Sequence, residues 1–213
     1  MEKTDKRTDI LNAAELLFSE FGFEGTSTRL IARESGANIA MINYYFGSKE
    51  GVFLEIMEGR ISGFKSQLDL INDEQIPARE KLLKVIDQYT SRIFANINFH
   101  KMMHRELSLN QRPEIFGKIK EAMASNRLVI EKIIESGITE GTFRQVDVRM
   151  TIASIMGTIS IIANSPSKVI DDQNFDVNNE KQRAQLKKRL VAHLQDFITT
   201  HLALQKSCNI PLS

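Results

Sequence analysis

The stretch TSTRLIARESGANIAMINYYFGSKEGVF, residues 26–53, decides the fold, because glycines divide it into short segments, each preceded by a residue able to cap a helix. Ser27 or Thr28 can cap a first segment carrying Leu30, Ile31 and Arg33, which Gly36 closes after two turns. Asn38 can cap a second segment that Gly47 ends, and Ser48 can cap the long helix beyond it. At about 100° per residue, Ile42 and Phe46 share one face of the second segment. Ala40 and Tyr44 point nearly opposite, with Met41 and Asn43 beside them. Small, amide and phenol groups gathered on an outer face suit a helix that lies against DNA better than one packed into a core. Upstream, Ile10, Ala13, Ala14, Leu17, Phe18 and Phe21 form another helical stripe, with Gly22 placed to stop it. Three short helices with a glycine turn between the second and third read as a helix-turn-helix, whose later helix enters the major groove.

Each residue of that outer face has a chemistry to offer. Ile39 and Ala40 begin the helix, and Ala40 lets its backbone approach closely. Asn43 can bond adenine in a bidentate manner, and Met41 can touch a thymine methyl. Tyr44, Tyr45 and Lys49 can reach phosphates, which fixes register without reading sequence. Thr28 and Arg29 sit at the amino end of the preceding helix, where free N–H groups favour a phosphate. Blander roles remain open: Tyr45 as a packing residue, Asn38 as a cap alone, and Thr28 with Arg29 as an ordinary solvated turn.

Composition neither contradicts nor supplies this reading. With 42% hydrophobic and 26% charged residues, the 213-residue chain is apolar enough to bury a core rather than stay disordered. A net charge of +1 gives no electrostatic signature of a nucleic-acid binder. Locally the balance differs: residues 25–49 hold Arg29, Arg33 and Lys49 against Glu34 alone, within an otherwise acidic amino-terminal region. The charged start MEKTDKRTD lacks a signal-peptide core, and no stretch is apolar enough to span a bilayer, so a cytoplasmic location is expected. A single cysteine, Cys208, precludes an intrachain disulfide and a cysteine metal cluster.

The segment resembles the DNA-binding region of the tetracycline-repressor (TetR/AcrR) family of bacterial regulators over about Ile10 to Ile56. The resemblance is carried by ILNAAELLFSEFGFEGTS, by Thr28, Arg29, Ile31 and Ala32, by Gly36, Tyr44 and Phe46, and by Ser48-Lys49-Glu50. Three positions depart from the family pattern. Asn43 stands where many relatives carry Tyr, Tyr45 where His is common, and Leu30 where an acidic capping-box partner is frequent. Base preference therefore cannot be carried over from a relative. The resemblance implies an all-α chain of about nine helices, with a helix-turn-helix domain over residues 1–50 and an effector-binding and dimerisation domain over residues 51–213.

Beyond Gly51 the periodicity predicts helices near 49–71, 78–96, 98–109, 113–136, 147–164 and 180–205. Pro77 and Pro113 sit at first-turn positions, Gly137 and Gly141 mark stops, and polar residues 165–179 read as a loop. Ile152, Ile155, Met156 and Ile159 on one helix, with Leu186, Leu190, Leu194 and Phe197 on the last, could form a four-helix dimer interface. An intrachain core is the other reading of those stripes. Phe64, Tyr89, Ile93, Phe94, Phe99, Met102, Met103, Arg105, Phe116 and Met123 are candidates for lining the effector cavity that the resemblance implies, although such stripes are more often core than pocket. As a set they point to a largely apolar effector.

His100 and His104 have the i, i+4 spacing of metal ligands but no third ligand beside them, so no metal and no cofactor is expected. The sequence offers no phosphate-cradling glycine loop and no localisable catalytic triad, so an enzyme is not expected. The expected protein is a homodimeric regulator, a repressor released from a palindromic operator by a small molecule. A DNA-binding regulator without a small-molecule effector is the alternative, and a helical-bundle enzyme or metal carrier a remoter one.

Overall fold

The structure, a computed structural model, describes residues 5–109 and 112–204; Cys208 and the predicted helix end at 205 lie outside them. The described residues form nine α-helices and a short 3-10 turn, with no strand among them. These are α1 (Lys6–Gly25), α2 (Thr28–Ser35), α3 (Ile39–Phe46), α4 (Lys49–Asp73), α5 (Ala78–Ala95), α6 (Ile97–Leu109), α7 (Pro113–Thr139), α8 (Val148–Asn164) and α9 (Glu180–Leu202). The 3-10 turn, Pro166–Lys168, lies within the segment expected to be a plain loop.

The chain packs as two compact units, one of Met1–Ser66 with Arg92–Asn126, the other of Gln67–Ser91 with Arg127–Ser213. Packing therefore does not break at residue 50. In the first unit the core is continuous from the amino-terminal helices into α6 and α7: Ile10, Phe18 and Phe23 of α1, Ile31 of α2, Ile42 of α3, Phe53 and Met57 of α4, Phe99 of α6, and Phe116 and Ile119 of α7 are all buried together. Phe18, Phe23 and Phe53 form an aromatic triad with centroids 5.2–5.7 Å apart, one pair stacked and two edge-on. Burying each such ring contributes about 1.5–3 kcal/mol, so the head is stabilised by its seam with α4 more than by its own short helices.

Helix α1 does not end at Gly22 as the stripe suggests. Gly22 adopts φ 74°, ψ 175°, a break that re-aims one further turn and drives Phe23 into the core. The Thr26 hydroxyl donates to the Gly22 carbonyl at 2.8 Å and closes the break. Gly51 answers to a different constraint: a Cβ there would lie 1.9 Å from the Phe46 carbonyl oxygen, so only glycine admits the end of α3 against the start of α4.

In the second unit, Asp147 and Asn179 cap α8 and α9 through side-chain oxygens that accept from Met150 and Gln182 N–H. Gly137, expected to mark a stop, lies inside α7; a Cβ there would meet the Phe143 ring at 2.3 Å, so its role is to seat that ring. The stop is Gly141, with φ 73°, and the Thr142 and Phe143 N–H groups return to the Gly137 carbonyl.

Candidate nucleic-acid interface

Ser27, not Thr28, caps α2: its Oγ accepts from Leu30 N–H at 3.2 Å. Gly36 ends α2 in the left-handed conformation, φ 61°, ψ 26°, which lets the chain turn directly into α3. Asn38 Oδ1 accepts from Met41 N–H at 2.8 Å, so its side chain is engaged as the cap of α3. Gly47, φ 75°, ends that helix, and Ser48 Oγ caps α4 through Gly51 N–H at 3.2 Å.

These caps hold an eight-residue helix with two unlike faces. Ile42 is fully buried and Phe46 half-buried against the core, with the Arg7 guanidinium 5.6 Å from the Phe46 ring. On the other side Ile39, Ala40, Asn43 and Tyr44 are exposed, Tyr44 at 84%, unusual for so large a side chain. Thr28 is half-buried and Arg29 exposed at the amino end of α2. Arg33 is exposed and paired with Glu34.

Two candidates sit differently from the simple face reading. Met41 and Tyr45 are half-buried and pack against the core, because a helix flanked by α2 and α4 has its sides covered as well as its inner face. Ile39 is left as the exposed large apolar side chain of α3. Lys49 is also engaged: its ammonium donates to the Phe23 carbonyl at 2.9 Å and lies 4.2 Å from the centre of the Phe23 ring.

The effector candidates are not brought together as one lining. Phe99, Met102 and Phe116 belong to the core of the first unit, Met103 packs against it, and Phe64, Ile93 and Phe94 are buried in that same unit. Tyr89 belongs to the second unit, where burial pushes its phenol up to about 12. Met123 is 40% exposed. Met102 and Arg105 instead line a surface groove of about 620 Å³ between the broken end of α1 and α6, together with Phe21, Asn98, Lys101, Glu106 and Leu109. Arg105 is exposed, whereas its neighbour Glu106 is buried and bonded to Arg112 at 2.9 Å. The His100 and His104 rings lie 4.5 Å apart. Burial first, then His104 and Arg60, push the His100 imidazole down to about 3, and burial lowers His104 as well. No group of three or more His, Cys, Asp or Glu among the described residues could hold a metal ion.

The dimer candidates divide by burial within the protomer. Ile152, Ile155, Ile159, Leu186, Leu190 and Leu194 are each 5% exposed or less, because their stripes pack inside the protomer. Only half-buried Met156 and Phe197, 41% exposed, keep surface for a partner. The exposed stripe of α8 runs instead through Met150, Ala153, Ser154 and Ile161, with half-buried Gly157 among them; a Cβ on Gly157 would meet nothing within 4 Å. On α9 exposed His193 joins Phe197, whose ring stacks on His201 at 5.5 Å.

A capped two-helix turn that presents an exposed polar and aromatic helix face, with helices and no strand among the described residues, defines a helix-turn-helix DNA-binding protein. The chain belongs to the TetR family of transcriptional regulators. Residues 10–56 match the family of bacterial regulatory proteins named for tetR, and residues 75–164 match a tetracyclin repressor-like C-terminal domain. The chain is 34% identical over 161 residues to the transcriptional repressor NicS of Pseudomonas putida, covering 70% of this chain and 71% of that protein. It is 26% identical over 177 residues to the fatty acid metabolism regulator protein of Bacillus subtilis, covering 83% and 90%. The crystal structure of FadR from Bacillus subtilis with stearoyl-CoA superposes with a TM-score of 0.68 at 25% identity, over 87% of this chain and 97% of that one. The chain is thus a ligand-responsive DNA-binding regulator and not an enzyme. No helix among the described residues is long and apolar enough to cross a membrane.

Proposed function

We propose that the protein is a homodimeric repressor that blocks a palindromic operator and leaves it when a largely apolar small molecule binds. The observation that carries the DNA reading is α3, with Ile42 at 0% and Tyr44 at 84% exposure only two residues apart on a helix capped at both ends. Asn43 and Ala40 read bases, while Tyr44, Arg29, Thr28 and Lys49 meet phosphates. Met41 and Tyr45 act at the margin of the contact, since each keeps only part of its surface. Residues 1–50 supply the DNA contacts and residues 51–213 the effector and dimer functions.

One short helix reads few bases, so a two-fold dimer spanning two half-sites is the geometry that gives specificity. The α8 and α9 surface carrying Met150, Ala153, Gly157, Ile161 and Phe197 is the face we assign to the partner. Small residues on α8 let two helices approach closely, and exposed apolar ones gain by being covered. The effector reading rests on the apolar interior of the carboxyl-terminal helices and on the relatives concerned with fatty acid metabolism. A long-chain acyl-CoA is the class to test first, because stearoyl-CoA is bound in the superposable FadR structure. The protein works where its operator is, in the bacterial cytoplasm.

The experiment is selection of genomic fragments by the full-length protein, followed by titration of the complex with stearoyl-CoA and with free coenzyme A. Release by stearoyl-CoA alone is the expected result. Retention of the operator at saturating stearoyl-CoA would remove that effector class, and recovery of no common sequence would remove the repressor reading.

A further inference from the structure

The ring of Phe23, 1% exposed, has a cation close to it from each of two helix starts. Lys49 Nζ lies 4.2 Å from its centre and the guanidinium carbon of Arg112 lies 4.0 Å from it. Lys49 also donates one N–H to the Phe23 carbonyl at 2.9 Å. Arg112, immediately before α7, is clamped in turn: one nitrogen donates to Glu106 of α6 at 2.9 Å and the other to Glu24 in the last turn of α1. The Glu106 side chain is only 4% exposed and the Arg112 side chain 15%. A carboxylate so buried is costly to leave without its cation, so Arg112 is tied to its place.

We propose that Arg112 is a positioning residue for operator binding: fixed by Glu106 and Glu24, it holds Phe23, and Phe23 holds Lys49 ready for a phosphate. The physical gain is entropic. A lysine has among the largest side-chain entropies to lose, and here that freedom is already restricted before DNA arrives. With one N–H on the Phe23 carbonyl, two donors remain for the phosphate. The arrangement also ties the α6–α7 corner to a residue assigned to the DNA surface, through side chains of a single compact unit. The inference rests on the assignment of Lys49 as a phosphate contact.

The test is a double-mutant cycle on the full-length protein, using a duplex selected by the wild type from a random-sequence pool and a series of salt concentrations. Glu106→Gln with Arg112→Met removes the latch without stranding a buried charge. It is expected to weaken binding about tenfold by freeing Lys49 and to leave the salt slope unchanged, because Lys49 keeps its charge and still meets the phosphate. On a Lys49→Ala background the same pair of changes is expected to have no further effect, because the two act through one contact. Arg112→Lys should lose less, and its loss should also vanish on that background; this variant carries the cycle if circular dichroism shows the paired variant unfolded. A loss that persists undiminished without Lys49, a salt slope lowered by about one, or no loss at all overturns the proposal. Lys49→Ala with an unchanged slope would reject the phosphate contact itself, and with it this inference. A lowered slope for Lys49→Ala combined with additive losses rejects only the positioning role.

Discussion

Asn43 is exposed on α3 with its amide uncommitted to capping, in contrast to Asn38 five residues earlier in the α3 cap, and that difference is why we propose it as the reader of sequence. Asn43→Ala is expected to lose about 1–3 kcal/mol on the preferred operator and to relax base preference at one position per half-site, measured by binding to a set of single-base variants. Uniform loss on all of them would reassign the residue to the backbone. Gly51→Ala puts a carbon 1.9 Å from the Phe46 carbonyl, a backbone atom that cannot step aside cheaply. We expect it to destabilise the protein by about 2–4 kcal/mol in urea unfolding, since the seam between α3 and α4 must open. His100 gives a pH prediction. Its imidazole titrates near 3 in the folded chain against 6.5 when unfolded, so the unfolded state takes the proton first. Stability is therefore unaffected well above pH 6.5 and falls as pH drops from about 6.5 towards 3, by about 2 kcal/mol at pH 5. His100→Gln should flatten the urea midpoints between pH 7 and 5; an unchanged slope there would mean that the imidazole titrates normally.

At the scale of elements, the ends of α2, α3 and α4 were legible because caps are local chemistry: Ser27, Asn38 and Ser48 each satisfy a backbone N–H within three residues. Gly22 and Gly137 look like stops in the sequence but lie inside α1 and α7, for the opposite reason. Gly22 sits at a break after which α1 takes another turn into the core, and Gly137 answers to the Phe143 ring folded back over it. The stripes on α8 and α9 are apolar faces, but a stripe does not say which partner it covers. Ile155 and Leu194, at 1% exposure, are buried within the protomer, and the face we assign to a second copy is the adjoining one. Ile161→Asp or Phe197→Asp is accordingly expected to shift the protein to a monomer and reduce operator affinity at least tenfold, whereas Ile155→Val should leave the dimer intact. Sedimentation measurements decide it, and a dimer undisturbed by both aspartates would move the interface elsewhere.

For the whole molecule the question is how an effector lowers affinity for DNA. If the effector favours a conformation whose two heads do not match the operator, DNA must lower effector affinity by the same factor. Equal shifts in the two titrations are the expected result, and an effector affinity indifferent to operator would reject the coupling. Sequence alone determined the all-helical fold, the helix-turn-helix and the family, because those depend on periodicity, capping and turn residues that act over a few positions. It also set the inner and outer faces of α3, since the 100° advance per residue separates Ile42 from Tyr44 whatever lies around them. Only the tertiary structure decided which side chains were already committed. It drew Met41 and Tyr45 partly onto the core, placed Lys49 on Phe23, joined Glu106 and Glu24 through Arg112, and turned the buried stripes of α8 and α9 inward. Those outcomes depend on residues brought together from as many as 88 positions apart, as Glu24 and Arg112 are, and no local pattern records such a meeting.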